Sequence, residues 1–222
     1  LGVGNVYGLP PHLTGKDFLK HFNILAGTPE AYAFSSSDFS SLASQYGRIG
    51  GLAHMATLIN AIRTERPNNS ILVDVGDTWQ GSLTSLKTQG EDMVDAMNTL
   101  GVDVMTGHWE FTYGSERVLE LIDKLDFPFL AGNIRDTDFN EPVFESTKFF
   151  ERGGINVAII GQAFPYSPIA NPRYMMADWS FGIQEELIRD NVNTARQSGA
   201  DLVVLASHNG FNVDRKLASR VD

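Results

Sequence analysis

The sequence predicts an α/β fold on three observations. Apolar, β-branched runs alternate with segments of helical periodicity through residues 50–222. Gly and Pro punctuate the joints between them. Three of the runs also end in a side chain able to bind a metal, at the edge where a parallel sheet presents its functional groups. Val73-Asp74-Val75-Gly76 delivers Asp77. Val102-Asp103-Val104-Met105-Thr106-Gly107 delivers His108, and Leu202-Val203-Val204-Leu205-Ala206-Ser207 delivers His208.

Residues 1–47 are rich in Gly, Pro, Ser and aromatic residues, with little sustained periodicity. They predict a long loop-rich insertion rather than a separate domain. Pro10-Pro11 and Thr28-Pro29 interrupt it, and only Asp17 to Phe22 is spaced for a short helix. From Gly50 the pattern changes. Leu52, Met55, Ala56, Ile59 and Ile62 fall on one helical face, which Arg66-Pro67 terminates. The strand Ile71 to Val75 and the Asp77 loop follow. Met93, Val94 and Met97 mark the next helix, Val102 to Met105 the next strand, and Val118, Leu119, Ile122 and Leu125 another helix. A short strand falls around Phe129-Leu130. Phe144 to Phe150 and Ile155 to Ile160, joined through Gly153-Gly154, read as a hairpin, so some pairing is antiparallel. Residues 162–179 read as an aromatic, Pro-containing loop. A helix from about Gly182 to Arg196 then precedes the strand at Asp201 to Ala206, and a further element begins near Asp214.

Composition narrows the function. With 42% hydrophobic residues and 14 Phe, 222 residues can supply a real core. Twenty-seven acids against 17 bases disfavour a broad nucleic-acid surface, which needs clustered positive charge. An anionic small substrate is still compatible, because a metal ion inverts the local potential. The absence of Cys removes disulfides, thiolate metal sites and Cys nucleophiles within these residues. No apolar run approaches the roughly 20 residues that span a bilayer.

Asp77 is the leading candidate for chemistry. A carboxylate can bridge two metal ions, and its competing role is to cap the following turn. Asp74 alternates away from that environment and fits a structural hydrogen bond. His108 and His208 each offer one ring nitrogen to a metal while a carboxylate or carbonyl orients the other. Glu110 either supports His108 in that way or caps the next loop. Trp79 and Trp109 beside these residues are core side chains or the lining of a dry pocket mouth. Arg48, Arg173 and Tyr166 are candidates to contact an anionic group, against plain surface solvation. His12, His21 and His54 fit packing or surface roles. Neither a dinucleotide fingerprint nor a Walker phosphate loop occurs, and the adjacent pair Ser207-His208 defines no triad.

Gly76-Asp77-Thr78-Trp79-Gln80-Gly81-Ser82 resembles the GD-x-x-QGS motif of the 5′-nucleotidase branch of the calcineurin-like metallophosphoesterases. Gly107-His108-Trp109-Glu110-Phe111 stands where that branch has G-N-H-E-F, and Ser207-His208-Asn209-Gly210 resembles its later S-H-x-G segment. Thr106 to Gly114, Gly161 to Tyr166 and Ile169 to Tyr174 are similar to the SoxB family of thiosulfohydrolases within that branch.

The resemblance implies an α/β/β/α sandwich and two divalent ions, manganese in this family. Asp77 would bridge them, with His108 and His208 as further ligands. Trp109 replaces the family's assisting His and would line the substrate channel. The implied reaction releases sulfate from a cysteine S-sulfonate on the SoxYZ carrier in the periplasm. A 5′-nucleotidase or nucleotide-sugar hydrolase is the alternative. By the same resemblance, the D-x-H motif would precede Leu1, while the G-x-H-x-H motif and the substrate-binding domain would follow Asp222. The chain is then expected to be an internal fragment of the N-terminal domain, poor in metal binding and inactive by itself.

Overall fold

The computed structural model describes residues 15–47 and 50–221. His12 and Arg48 lie outside the described residues. The chain divides into two compact units, Leu1–Leu58 and Ile59–Asp222.

In the first unit, α1 (Gly15–His21) forms close to the predicted Asp17–Phe22 helix, and two further short helices occur where composition predicts loop: α2 (Pro29–Phe34) and α3 (Phe39–Tyr46). Thr28-Pro29, taken from sequence as a break, is instead a helix start. The Thr28 hydroxyl accepts from the Ala31 N–H, and Pro29 occupies the first helical turn, where its missing N–H costs nothing. Tyr32 is buried, rings against Phe39 and Tyr46, and donates its hydroxyl to the Gly47 carbonyl. His21 ends α1 edge-on to Phe22, a packing role.

Helix α4 (Leu52–Glu65) forms where periodicity predicts it, but none of its side chains is fully buried. Leu52, Met55 and Ile62 of the predicted apolar stripe are exposed, as is His54.

The second unit carries β1 (Val73–Asp74), α5 (Leu83–Thr88), α6 (Glu91–Leu100), β2 (Val104–Met105) and α7 (Ser115–Ile122). It continues with β3 (Arg135–Asp136), β4 (Thr147–Arg152), β5 (Ile155–Gln162), α8 (Ser167–Ala170), β6 (Trp179–Ser180), α9 (Glu185–Gln197), β7 (Leu202–Ser207) and α10 (Phe211–Ala218). β1 and β2 pair in parallel, and Met105 bridges in parallel to Phe129. β4 and β5 form the predicted hairpin, its turn carried by Gly153 and Gly154 at φ 57° and 77°. β5 pairs in parallel with β7, a mixed sheet of order β4-β5-β7.

Alternation along β5 divides the core. Val157 and Ile159 meet Val104, Leu130 and Ala206, whereas Ile160 faces Ile188 and Val192 of α9 and Leu217 of α10. This is the mixed α/β arrangement that the sequence predicts. The stretch 162–179 is less irregular than expected, holding α8 and a 3₁₀ turn at Arg173–Met176.

Away from the strand ends, Asp103 accepts from the Leu72 N–H at 2.8 Å and pairs with Arg63 at 3.2 Å and Arg152 at 2.7 Å. Arg63 also donates to the carbonyls of Leu100 and Gly101, closing the C-terminus of α6.

Candidate metal centre

After β1 the backbone turns sharply. Asp74 Oδ1 accepts from the Gly76 N–H at 2.9 Å, and its carboxylate takes the Thr78 hydroxyl. Asp74 is therefore the structural residue its alternation predicts. Burial pushes its carboxyl up, against the lowering effect of those two donors. Gly76 and Asp77 both have positive φ, 90° and 67°. Asp is one of the few non-glycine residues that enters this region readily. The turn lifts the Asp77 carboxylate, half exposed, off the strand end.

Gly76 is required for a second reason. A Cβ there would lie 2.7 Å from His108 N and 2.8 Å from Gly107 C. The turns after β1 and β2 thus touch backbone to backbone. Gly107 is equally constrained, because a Cβ would meet the Phe111 ring at 2.5 Å.

These contacts bring the three predicted ligands together. His108 Nδ1 lies 3.1 Å from Asp77 Oδ1. The alignment is not that of a hydrogen bond, so a buried ring nitrogen faces a carboxylate without a hydrogen-bond partner. The His108 and His208 rings stack at 4.0 Å, 13° from parallel. His208 Nδ1 is 2.6 Å from the Val75 carbonyl. A carbonyl only accepts, so Nδ1 carries the proton and Nε2 is left as a lone-pair donor. Desolvation lowers the His108 pKa, outweighing Asp77, and neighbouring His208 lowers it too. A neutral imidazole, the ligating form, is thereby favoured.

Trp109 stacks on His108 at 5.2 Å and 9°, with Phe164 edge-on from another side at 4.3 Å. Ser167 Oγ donates to the His108 carbonyl, and Phe164 N–H to the Gly107 carbonyl. Phe164 was not identified from sequence as a site residue. Its place within Gly161 to Tyr166, just past β5, is the signal that could have marked it. Tyr166 reaches the site indirectly, through its ring contact with Phe164 at 5.6 Å. Arg173 is exposed in the 3₁₀ turn, and no contact places it against Asp77, His108 or His208 among the described residues. Trp79 does not line a mouth. It is fully buried against Phe129, on the core side of its turn. Trp109, partly exposed, instead walls a groove of about 580 Å³ with Gln80, Leu83, Leu86, Thr112 and Met175.

Glu110 lies beneath both turns, wholly buried. Its Oε1 accepts the N–H of Thr78 at 2.7 Å and of Trp79 at 3.4 Å, and its Oε2 the N–H of His108 at 2.5 Å. Burial raises its pKa and those backbone donors oppose the rise. It meets the His108 backbone and not its ring, so it does not orient the imidazole but holds N–H groups of both turns.

A carboxylate oxygen and two imidazole nitrogens suit a divalent cation such as manganese, zinc or iron. The partnerless Nδ1 of His108, facing Asp77, fits a donor awaiting an ion. Among the described residues, however, no group of three or more His, Asp or Glu is arranged to hold a metal ion. As placed, Asp77, His108 and His208 meet at one edge but do not by themselves form such a group.

No family model matches the chain. Its structure is similar to that of the sulfate thiohydrolase SoxB of Thermus thermophilus, with a TM-score of 0.87 and 37% identity over 99% of this chain and 41% of that one. It is 27% identical over 194 residues to the 5′-nucleotidase of Bos taurus, covering 84% of this chain and 33% of that protein. A 2′,3′-cyclic-nucleotide 2′-phosphodiesterase/3′-nucleotidase of Salmonella typhimurium is 30% identical over 182 residues, 74% of this chain and 28% of its own length. A 5′-nucleotidase precursor structure, also from Thermus thermophilus, shares the fold at 24% identity and a TM-score of 0.67, over 77% of this chain and 34% of that one. The chain spans about a third of the curated relatives it matches.

Together these similarities support the 5′-nucleotidase and calcineurin-like phosphoesterase family, a group of metallophosphoesterase-type hydrolases that typically binds two divalent metal ions. Within that group, the likeness to SoxB extends over nearly the whole chain.

Proposed function

We propose that the protein acts as a SoxB-type thiosulfohydrolase, releasing sulfate from a cysteine S-sulfonate carried by SoxYZ in the periplasm. One observation carries this reading: the residue stacked on His108 is Trp109, where the nucleotidase motif has an assisting His. The 37% identity to SoxB over 99% of the chain supports it independently.

The reaction adds water across the S–SO₃⁻ bond. The sulfonate sulfur gains an oxygen, the S–S bond breaks, and the cysteine sulfur leaves and takes a proton, with no external oxidant or reductant. When bound, divalent ions, proposed here to be manganese, activate water and offset charge on the sulfonate oxygens. Asp77, His108 Nδ1 and His208 Nε2 would hold them. The Val75 carbonyl fixes the His208 tautomer, and Trp109 and Phe164 exclude water from His108. A sulfur leaving group is far less basic than a sugar alkoxide and needs less protonation. An indole at position 109 cannot protonate it, but can shape the approach along the adjoining groove. Tyr166 and Arg173 line the approach only if substrate binding draws them inward. The chain spans about a third of its curated relatives' length, and further ligands are proposed to come from the rest of such a protein.

A nucleotidase remains the second reading, favoured by the names of the relatives in Bos taurus and Salmonella typhimurium. Product analysis separates the two. Manganese-loaded protein containing all 222 residues and the flanking domains is offered an S-sulfonated SoxYZ arm peptide and AMP in competition. Sulfate release without phosphate release supports the thiosulfohydrolase, and preferential AMP hydrolysis overturns it.

A further inference from the structure

We propose that Glu110 is a positioning residue that locks the Asp77 turn to the His108 turn and so sets the separation of these two ligand side chains. The inference rests on the reading of Asp77 and His108 as donors to a divalent ion.

The two turns belong to different strands and meet at Gly76, where backbone lies against backbone with no room for a Cβ. Such a contact holds the turns apart but cannot hold them together. Glu110 supplies the attraction. Its two carboxylate oxygens divide their work, Oε1 taking the N–H groups of Thr78 and Trp79 and Oε2 that of His108. The donors lie immediately after Asp77 and at His108 itself, so the carboxylate bridges the backbone of both ligand turns. Glu110 is also the first residue of a 3₁₀ turn, Glu110–Tyr113, which carries Phe111 into the core. The clamp is thus anchored on a packed element rather than on a mobile loop. Ser167 also donates to the His108 carbonyl, and two less closely placed ties cross between the strands: Thr106 N–H to the Asp74 carbonyl before the turns, and Gln80 to the Trp109 carbonyl beyond them.

A glutamine at 110 has the same shape but one acceptor oxygen in place of two. Whichever way its amide faces, one turn meets an NH₂ group and loses its acceptor. Supporting contacts of this kind typically change metal affinity 10–100-fold.

The test compares wild type, Glu110→Gln and Asp77→Asn in protein containing all 222 residues and the flanking domains. Amide hydrogen exchange is read at Thr78, Trp79 and His108, with Ile159 in the central strand β5 as an internal measure of global stability. Manganese affinity is measured by titration calorimetry. In Glu110→Gln, exchange on one side of the clamp should accelerate at least about tenfold relative to Ile159, and the manganese Kd should rise 10–100-fold. Unchanged relative exchange at all three amides overturns the clamp. Accelerated exchange with an unchanged Kd overturns its positioning role. If Asp77→Asn leaves manganese binding unaltered, the ligand reading fails instead, and the exchange result still decides whether the clamp exists. Should Glu110→Gln not fold, Glu110→Asp keeps both oxygens but shortens the reach, and the same two readouts apply.

Discussion

Gly76→Ala addresses the contact on which the site depends. Residue 76 has φ 90°, a conformation that costs a non-glycine residue about 1–3 kcal/mol. An added Cβ would also lie 2.7 Å from His108 N, 2.8 Å from Gly107 C and 3.0 Å from the Thr106 carbonyl oxygen. All three atoms are backbone, so no side-chain rotation relieves the overlap, which adds roughly 1–3 kcal/mol. The total of about 2–6 kcal/mol is a large part of the 5–15 kcal/mol that ordinarily holds a domain folded. Gly81→Ala separates the two contributions. Gly81 has a similar φ of 100°, but a Cβ there meets nothing within 4 Å, so only the conformational cost applies. Urea unfolding of the two variants should place Gly76→Ala at least about 1 kcal/mol below Gly81→Ala. Equal midpoints and slopes would refute the claim that the ligand turns are in obligatory backbone contact.

Further outcomes follow from the same geometry. Asp103→Ala leaves Arg63 and Arg152 without their shared carboxylate and the Leu72 N–H without its acceptor, and should cost roughly 2–4 kcal/mol in urea unfolding; a loss under 0.5 kcal/mol would show the network to be solvent-screened. Trp109→His should shift competition from the S-sulfonated peptide toward AMP in the metal-loaded protein, and unchanged preference would remove Trp109 from the account of specificity. Chelation should abolish hydrolysis and divalent metal restore it; activity that survives exhaustive chelation would exclude the metal reading. Arg220 above all, then Arg189, holds the Glu185 carboxyl below its ordinary value of 4.5. A depressed carboxylate gives stability that is full above that value and lost as pH falls through the lower, folded one. Wild type should therefore lose slightly more stability than Glu185→Gln on acidification below about pH 4.5, an effect that salt erases. Parallel acid-unfolding curves at low salt would contradict this.

The strand ends were legible because each candidate ligand follows an apolar β-branched run closely, so local pattern alone places Asp77, His108 and His208 at one edge. The Gly153-Gly154 hairpin was readable for a similar reason, since few residues other than glycine accept that turn. What escaped sequence reasoning is non-local. Glu110 finds its partner Thr78 across 32 positions, and nothing near Glu110 reveals which N–H groups it will meet. Phe164 reaches His108 because the segment after β5 bonds the turn after β2, Phe164 N–H to the Gly107 carbonyl, and Trp79 turns into the core although it is two residues from Asp77. The first 47 residues misled for a different reason. Thr-Pro is read as a break when neighbouring periodicity is weak, yet the same pair starts a helix once Thr28 caps Ala31.

Trp109 draws these threads together. The two candidate reactions share a demand, polarisation of an anionic centre beside ions held by Asp77, His108 and His208, and differ in the leaving group. A metal shell formed by residues at strand ends is indifferent to that difference. Discrimination must come from side chains around the shell that the sheet does not dictate, and position 109 is one such place, free of any ladder and backed by buried Glu110. Its ring covers a neutral, desolvated imidazole on one side and walls an open groove on the other. An imidazole at this position would add a proton source where an alkoxide must depart, but would remove apolar surface from both neighbours. On the proposed reading, the fold separates metal binding, at the turns after β1, β2 and β7, from leaving-group chemistry, which one residue beside His108 would redirect.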